Sequence, residues 1–163
     1  MIFSRTLMVA FLVCIIAGLS SAQKSNKIEG VWELVSAKQT IGDSTLFEIS
    51  SKDRQMIKII TKTHFAFLSQ AFNRPKFTQM GNDAEMLLAA KTFGAGGGTY
   101  TFDGNTYTEH IQFFLEPNLI GISIPFKVKV ENNQLIQTGT MPRKALGLGE
   151  QDSELYEVYK RIE

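Results

Sequence analysis

Residues 122–130 read Ile-Ser-Ile-Pro-Phe-Lys-Val-Lys-Val. Every second side chain, Ile122, Ile124, Phe126, Val128 and Val130, is apolar, and Ser123, Pro125, Lys127 and Lys129 fall between them. A period of two is the pattern of a strand with one dry and one wet face, as antiparallel sheets have. Pro125 has no N–H to give to a ladder, so part of this strand is expected at an edge or a bulge.

The same period extends outward in both directions. Glu131-Asn132-Asn133 reads as a turn, and QLIQTGT (134–140) returns as the partner strand. Upstream, GTYTF (98–102) and TYTEHIQFF (106–114) flank Asp103-Gly104-Asn105, a turn signal because Gly and Asn tolerate positive φ. MIKIIT (56–61) and THFAFLSQ (63–70) form a third pair joined at Lys62. The first strand is expected over 31–38, the last over 154–162, and a short one over 46–49. One segment departs from the pattern. Asn82 followed by Glu85 resembles a capping box, Met86, Leu87, Leu88, Ala89 and Ala90 favour helix, Lys91 suits its C-terminal end, and Gly94 is read as its stop. The apolar side chains of this helix suggest either a plug closing one end of the fold or a lid over a ligand. The plug is preferred because apolar surface usually covers apolar surface. About eight short strands and one helix describe an all-β antiparallel barrel or sandwich.

The N-terminal 22 residues read as a signal peptide. Arg5 supplies a positive start, LMVAFLVCIIAGL (7–19) an apolar core too short to span a bilayer comfortably, and Ser20-Ser21-Ala22 a cleavage site. Cys14, the only cysteine, sits inside the apolar core rather than at the cleavage point, so a lipid anchor is not expected. After cleavage the chain has no thiol for a disulfide, a metal or nucleophilic catalysis. Residues 23–28 form a polar leader and 29–163 a single domain. Without Arg5, sixteen basic residues face sixteen acidic ones. That balance argues against nucleic acid and against an electrostatic grip on anionic lipid. Export to the periplasm or the medium is expected, with no integral membrane association; the oligomeric state is not legible.

Gly30-Val31-Trp32 opening the first strand, with Arg161 in the last, resembles the lipocalin and calycin pattern. KIITKTHFAF and GGGTYTFDGNTYTEHIQF resemble the short bacterial lipocalin-like domains of secreted proteins. The resemblance implies an up-and-down barrel of about eight strands. Gly30, Trp32 and Arg161 would close one end, with the arginine packed over the indole at a gain of about 0.5–2 kcal/mol.

Glu109 is the candidate for chemistry. It shares the apolar face of its strand with Tyr107, Ile111 and Phe113, and an inward carboxylate is costly unless paired, hydrogen-bonded or protonated. It is either an anchor for a ligand, near Tyr100 and Tyr107, or a structural hydrogen-bonding partner. His110 faces away from it, and His64 lies opposite Phe65 and Phe67, so neither histidine is expected to be catalytic and no metal site is expected. Gly94 to Gly98 lack a following helix and a Lys-Ser/Thr, so they are a flexible approach to the next strand rather than a phosphate cradle. No serine has a Gly-x-Ser-x-Gly setting. Phe72, Phe77, Met80 and Met86 are a candidate greasy rim.

The leading expectation is a carrier of a small apolar molecule, without a cofactor. Phe65, Phe67, Tyr100, Phe102, Tyr107, Phe126 and Val128 would line the cavity, and Glu109→Ala would weaken binding while the fold survives. Two alternatives stand beside it. One is acid–base isomerisation or cyclisation with Glu109; the other is a filled barrel acting through its surface.

Overall fold

The structure, a computed structural model, describes residues 27–78 and 81–163. The signal-peptide expectation, Cys14 and Met80 lie outside the described residues. Nine strands and one α-helix run in the order β1 (Gly30–Ile41), β2 (Ser44–Ser50), β3 (Arg54–Ile60), β4 (His64–Ala71), α1 (Asp83–Lys91), β5 (Phe93–Phe102), β6 (Thr106–Phe114), β7 (Ser123–Glu131), β8 (Gln134–Met141) and β9 (Ser153–Arg161). All pairings are antiparallel. On one side β1 pairs with β3 through Gly30–Glu33 and with β2 through Ser36–Ile41; on the other it pairs with β9. The sheet therefore closes into an eight-stranded barrel with β2 as an additional strand.

Closure sorts every strand into an inner and an outer face. The alternation at 122–130 survives intact: Ile124 and Phe126 are buried, Val128 and Val130 partly so, and the intervening Ser123, Pro125, Lys127 and Lys129 are exposed. Pro125 pairs with Thr108 of β6, and the register with β8 begins one residue later at Phe126, so the imino acid sits where the strand has one neighbour. The turn after β7 places Asn132 and Asn133 at φ 48° and 63°, the left-handed pair that a two-residue hairpin requires.

The glycine-rich stretch belongs to β5 itself and is not an approach to it. A bulge between Gly97 and Gly98 brings the His110 carbonyl to where a Cβ on Gly98 would stand. Only glycine allows that approach. Gly94 is likewise inside β5, and the helix stops earlier, at Thr92. Its start is as the sequence predicts: Asn82 accepts from the Glu85 amide at 3.0 Å, and the Glu85 carboxylate accepts from the Asn82 amide at 2.9 Å. The plug expectation fails. No residue of α1 is buried, and Met86, Leu87 and Leu88 are exposed, as are Phe72 and Phe77 of the expected rim.

The two ends of the barrel differ. Tight hairpins at 61–63, 103–105 and 132–133 lie at one end, and the long connections 72–92, 115–122 and 142–152 lie at the other. The tight end is the floor. There Trp32 is fully buried and donates from Nε1 to the Ile28 carbonyl at 2.8 Å. The Arg161 guanidinium stacks 4.0 Å from the Trp32 ring centroid and donates to the carbonyls of Glu29 (2.5 Å) and Lys27 (2.7 Å). Gly30 has φ 141°, and Arg161 occupies the space its side chain would need. Ile28, assigned from sequence to the polar leader, is in the core, so the fold begins by Lys27: the indole and the guanidinium both bind that segment's carbonyls.

Arg161→Ala removes a cation–π contact and three charge-assisted hydrogen bonds together, those to Glu29 and Lys27 and a longer one to the Glu163 carbonyl at 3.4 Å. It should cost about 2–3 kcal/mol, read as a lower urea midpoint at unchanged m. Arg161→Lys should recover less than half, since one ammonium cannot stack on the ring and reach these carbonyls together.

Candidate functional site

Above the floor the barrel interior turns polar. Lys58 follows Ile60 on the inner face of β3, and its ammonium donates to Glu109 Oε1 of β6 at 2.9 Å and to Gln137 Oε1 of β8 at 3.0 Å. Glu157 of β9 stands opposite Gln137 in the ladder. All four are buried. The rings of Tyr159, Tyr107 and Phe126 surround the ammonium with centroids at 5.2, 5.8 and 5.9 Å. Four strands, far apart in sequence, thus supply one ammonium, two carboxyls, an amide and two phenols.

The cluster is electrostatically uneven. Burial pushes the Glu157 carboxyl above the usual carboxylate range, and the negative Glu109 adds to the shift while Lys58 opposes it. Burial likewise raises the phenols of Tyr107 and Tyr159, next to Glu109 and Glu157 respectively, so both keep their protons. Each phenol lies near enough to its carboxylate for the two to interact, yet neither hydroxyl closes a hydrogen bond of regular geometry, and both are fully buried. A buried, unpaired hydroxyl costs about 1–3 kcal/mol, so two in one interior are a feature to be explained.

Each residue singled out from sequence has a place in this geometry. Glu109 faces inward, as its strand pattern predicts. Tyr107, Phe65 and Phe126 are buried, with Phe65 edge-on to Tyr107 at 6.2 Å. Tyr100, Phe102 and Phe67 are half-buried; Tyr100 lies 5.1 Å from Tyr107 and donates to the Thr61 carbonyl at 2.7 Å. Phe113 does not share the inner face of β6: the extra residue Gln112 in β6 shifts the register with β5 after Ile111, leaving Phe113 exposed and Phe114 turned inward against Phe67 at 5.4 Å. His110 contacts Ser123 Oγ at 2.8 Å and His64 contacts Thr63 Oγ1 at 2.7 Å, neither near Glu109.

Lys58, Gln137, Glu157 and Tyr159 were missed by sequence reasoning. The signal was present: stepping back by two from the floor residue Arg161 puts Tyr159, Glu157 and Leu155 on the inner face, and the same step from Ile60 reaches Lys58. The Lys58 contact also alters the outlook for Glu109→Ala, which strands a buried ammonium rather than sparing the fold.

No family model, curated protein or solved structure matches the chain. What the geometry defines is an antiparallel barrel with a charged interior.

Lys58→Met should destabilise by about 3–5 kcal/mol through the orphaned Glu109, and adding Glu109→Leu should restore most of the loss, measured by urea unfolding. Glu157 supplies a pH signature. Unfolded, it titrates near 4.5, and the fold retains its proton to higher pH. Its contribution is therefore complete below 4.5 and is lost as pH rises through the raised value. Glu157→Gln should gain stability relative to wild type progressively as pH rises above about 4.5, with the difference flat on the acid side.

Proposed function

We propose that the chain is an exported, lipocalin-like barrel that holds a small, mainly apolar molecule in its wider end, with the molecule's polar part toward the buried cluster. The observation that carries this reading is a stretch of apolar inner wall near the long loops that the barrel's own side chains cover only in part. At the floor, Trp32, Leu34, Ile60, Leu135 and Tyr159 are at most 2% exposed. Toward the long loops, the inward-facing Gln39, Met56, Phe67, Phe114, Met141 and Leu155 are only partly buried. A barrel packed solid with its own side chains would bury these residues, whereas a ligand pocket leaves apolar wall in contact with solvent until it is filled. Export rests on the positive start and apolar core at the N-terminus. The lipocalin likeness rests on the Trp32–Arg161 stack and the closed antiparallel circuit, which support it as architecture.

The outer wall offers a competing surface. A shallow groove of about 550 Å³ crosses β4, β5 and β6, with Leu68, Phe113 and Leu115 among its lining residues. It is apolar but open, and it has no convergent polar group to orient a guest.

The neutral fluorophore N-phenyl-1-naphthylamine separates the two surfaces. Saturable fluorescence enhancement is expected with the wild type. Leu155→Trp, which fills the inner wall near the mouth, should weaken it at least about tenfold. Leu68→Trp, on the outer wall, should leave it unchanged. Loss of binding in Leu68→Trp alone would move the site to the outer groove, and no enhancement at all would remove the carrier reading.

A further inference from the structure

Two carboxyl groups share the interior with a single ammonium, and that ammonium is directed at Glu109 and Gln137. The groups facing Glu157 from the neighbouring elements are Lys58, Glu109 and Tyr159, and Tyr107, next to Glu109, also feels the Glu157 charge. Among them Lys58 alone is cationic, so a full complement of charge at Glu157 lacks one positive partner. Glu157 is also the least buried member of the cluster, ahead of Glu109 at 5% exposure. It lies between Leu155 on the mouth side and Tyr159 on the floor side, and it retains 8% exposure where Lys58 has 2%, Gln137 1% and the two tyrosines none.

In the same cluster the Tyr159 and Tyr107 hydroxyls are buried, Tyr159 against Glu157 and Tyr107 against Glu109, with neither closing a hydrogen bond of regular geometry. A phenol oxygen accepts as well as donates, so an incoming N–H group could satisfy one of these oxygens and a Glu157 oxygen together. The rings of Tyr107, Tyr159 and Phe126 already bracket one ammonium, and aromatic faces of this kind attract a second cation and repel an anion. A guest carboxylate would bring a third negative group into a desolvated space that holds one positive one.

Resting on the carrier reading above, we propose that the barrel selects amphiphiles with a primary amine head, which Glu157 and the two phenols receive, and discriminates against fatty-acid anions. The amine's three N–H donors offer the two phenol oxygens and a Glu157 oxygen hydrogen bonds of regular geometry, and its charge offsets the second carboxylate. The alkyl tail lies along Phe67, Phe114, Met56 and Leu155 toward the mouth.

Titration calorimetry at neutral pH with octylamine, octanol and octanoate, each below its aggregation concentration, tests the order directly. Octylamine should bind at least about tenfold more tightly than octanoate, with octanol between them. In Glu157→Gln the amine should lose about tenfold and the alcohol less than about threefold, so that the preference collapses. Octanoate binding as well as or better than octylamine would overturn the assignment, as would an amine preference that survives in Glu157→Gln. N-phenyl-1-naphthylamine distinguishes the levels of failure. If it binds the wild type while the amine order is reversed, the carrier reading stands and this selectivity falls. If neither it nor any octyl compound binds, both fall.

Discussion

The β1–β9 ladder is the constraint from which the rest of the structure follows. Once the last strand pairs with the first, the sheet has no free edge along the barrel, and each strand must present alternate residues to a common interior. A one-residue slip of β3 would carry Lys58 out to solvent, and one of β6 would carry Glu109 out and bring Thr108 or His110 in, so closure and register hold each other. A bulge between Leu34 and Ser36 lets β1 present Leu34 to the floor and Ala37, opposite Glu157, to the middle of the barrel. The floor then locks in place, because the strand ends bring Arg161 over Trp32 and the segment before Gly30 beneath both.

Burying charge in such a small interior is not a route to stability. A buried ion pair roughly breaks even against an apolar replacement of the same volume, and removing one partner is what costs. The Lys58–Glu109 pair, the Gln137 amide and the surrounding rings satisfy one ammonium well, while the two phenol oxygens close no regular hydrogen bond and the second carboxyl, Glu157, has no cation of its own. An interior that only had to fold could have used leucine at these positions. On the carrier reading proposed above, these polar groups are what a guest entering past the partly buried wall would meet.

The two ends of the barrel divide the work. The floor is made of tight hairpins and fully packed side chains. The other end carries the long connections, among them the segment holding α1, whose apolar side chains stay in solvent. Arg74 ties this segment down, donating to the Ala89 carbonyl at 3.2 Å and to Thr92 Oγ1 at 3.2 Å with its guanidinium over Phe93. The helix is thus attached at its C-terminal end to β5 rather than seated in the barrel. Among the described residues no helix is long and apolar enough to cross a membrane.

Much of this was determined by the sequence alone. Period-two alternation marked most of the strands, the Asn132-Asn133 and 103–105 turns marked hairpins, and Asn82 with Glu85 marked the helix start, because strand pleat, left-handed φ and capping are local properties of the chain. Glu109 could be assigned to the inner face for the same reason. The tertiary structure alone decided what Glu109 meets there, since its partner Lys58 is 51 residues away and Gln137 and Glu157 come from two further strands. It alone decided that the glycine run is a strand, because the need for glycine at Gly98 arises from the His110 carbonyl on the neighbouring strand. And it alone decided that α1 is not a plug: propensity and capping specify a helix, but which surface its apolar residues meet depends on where the barrel's ends fall, and that follows from closure.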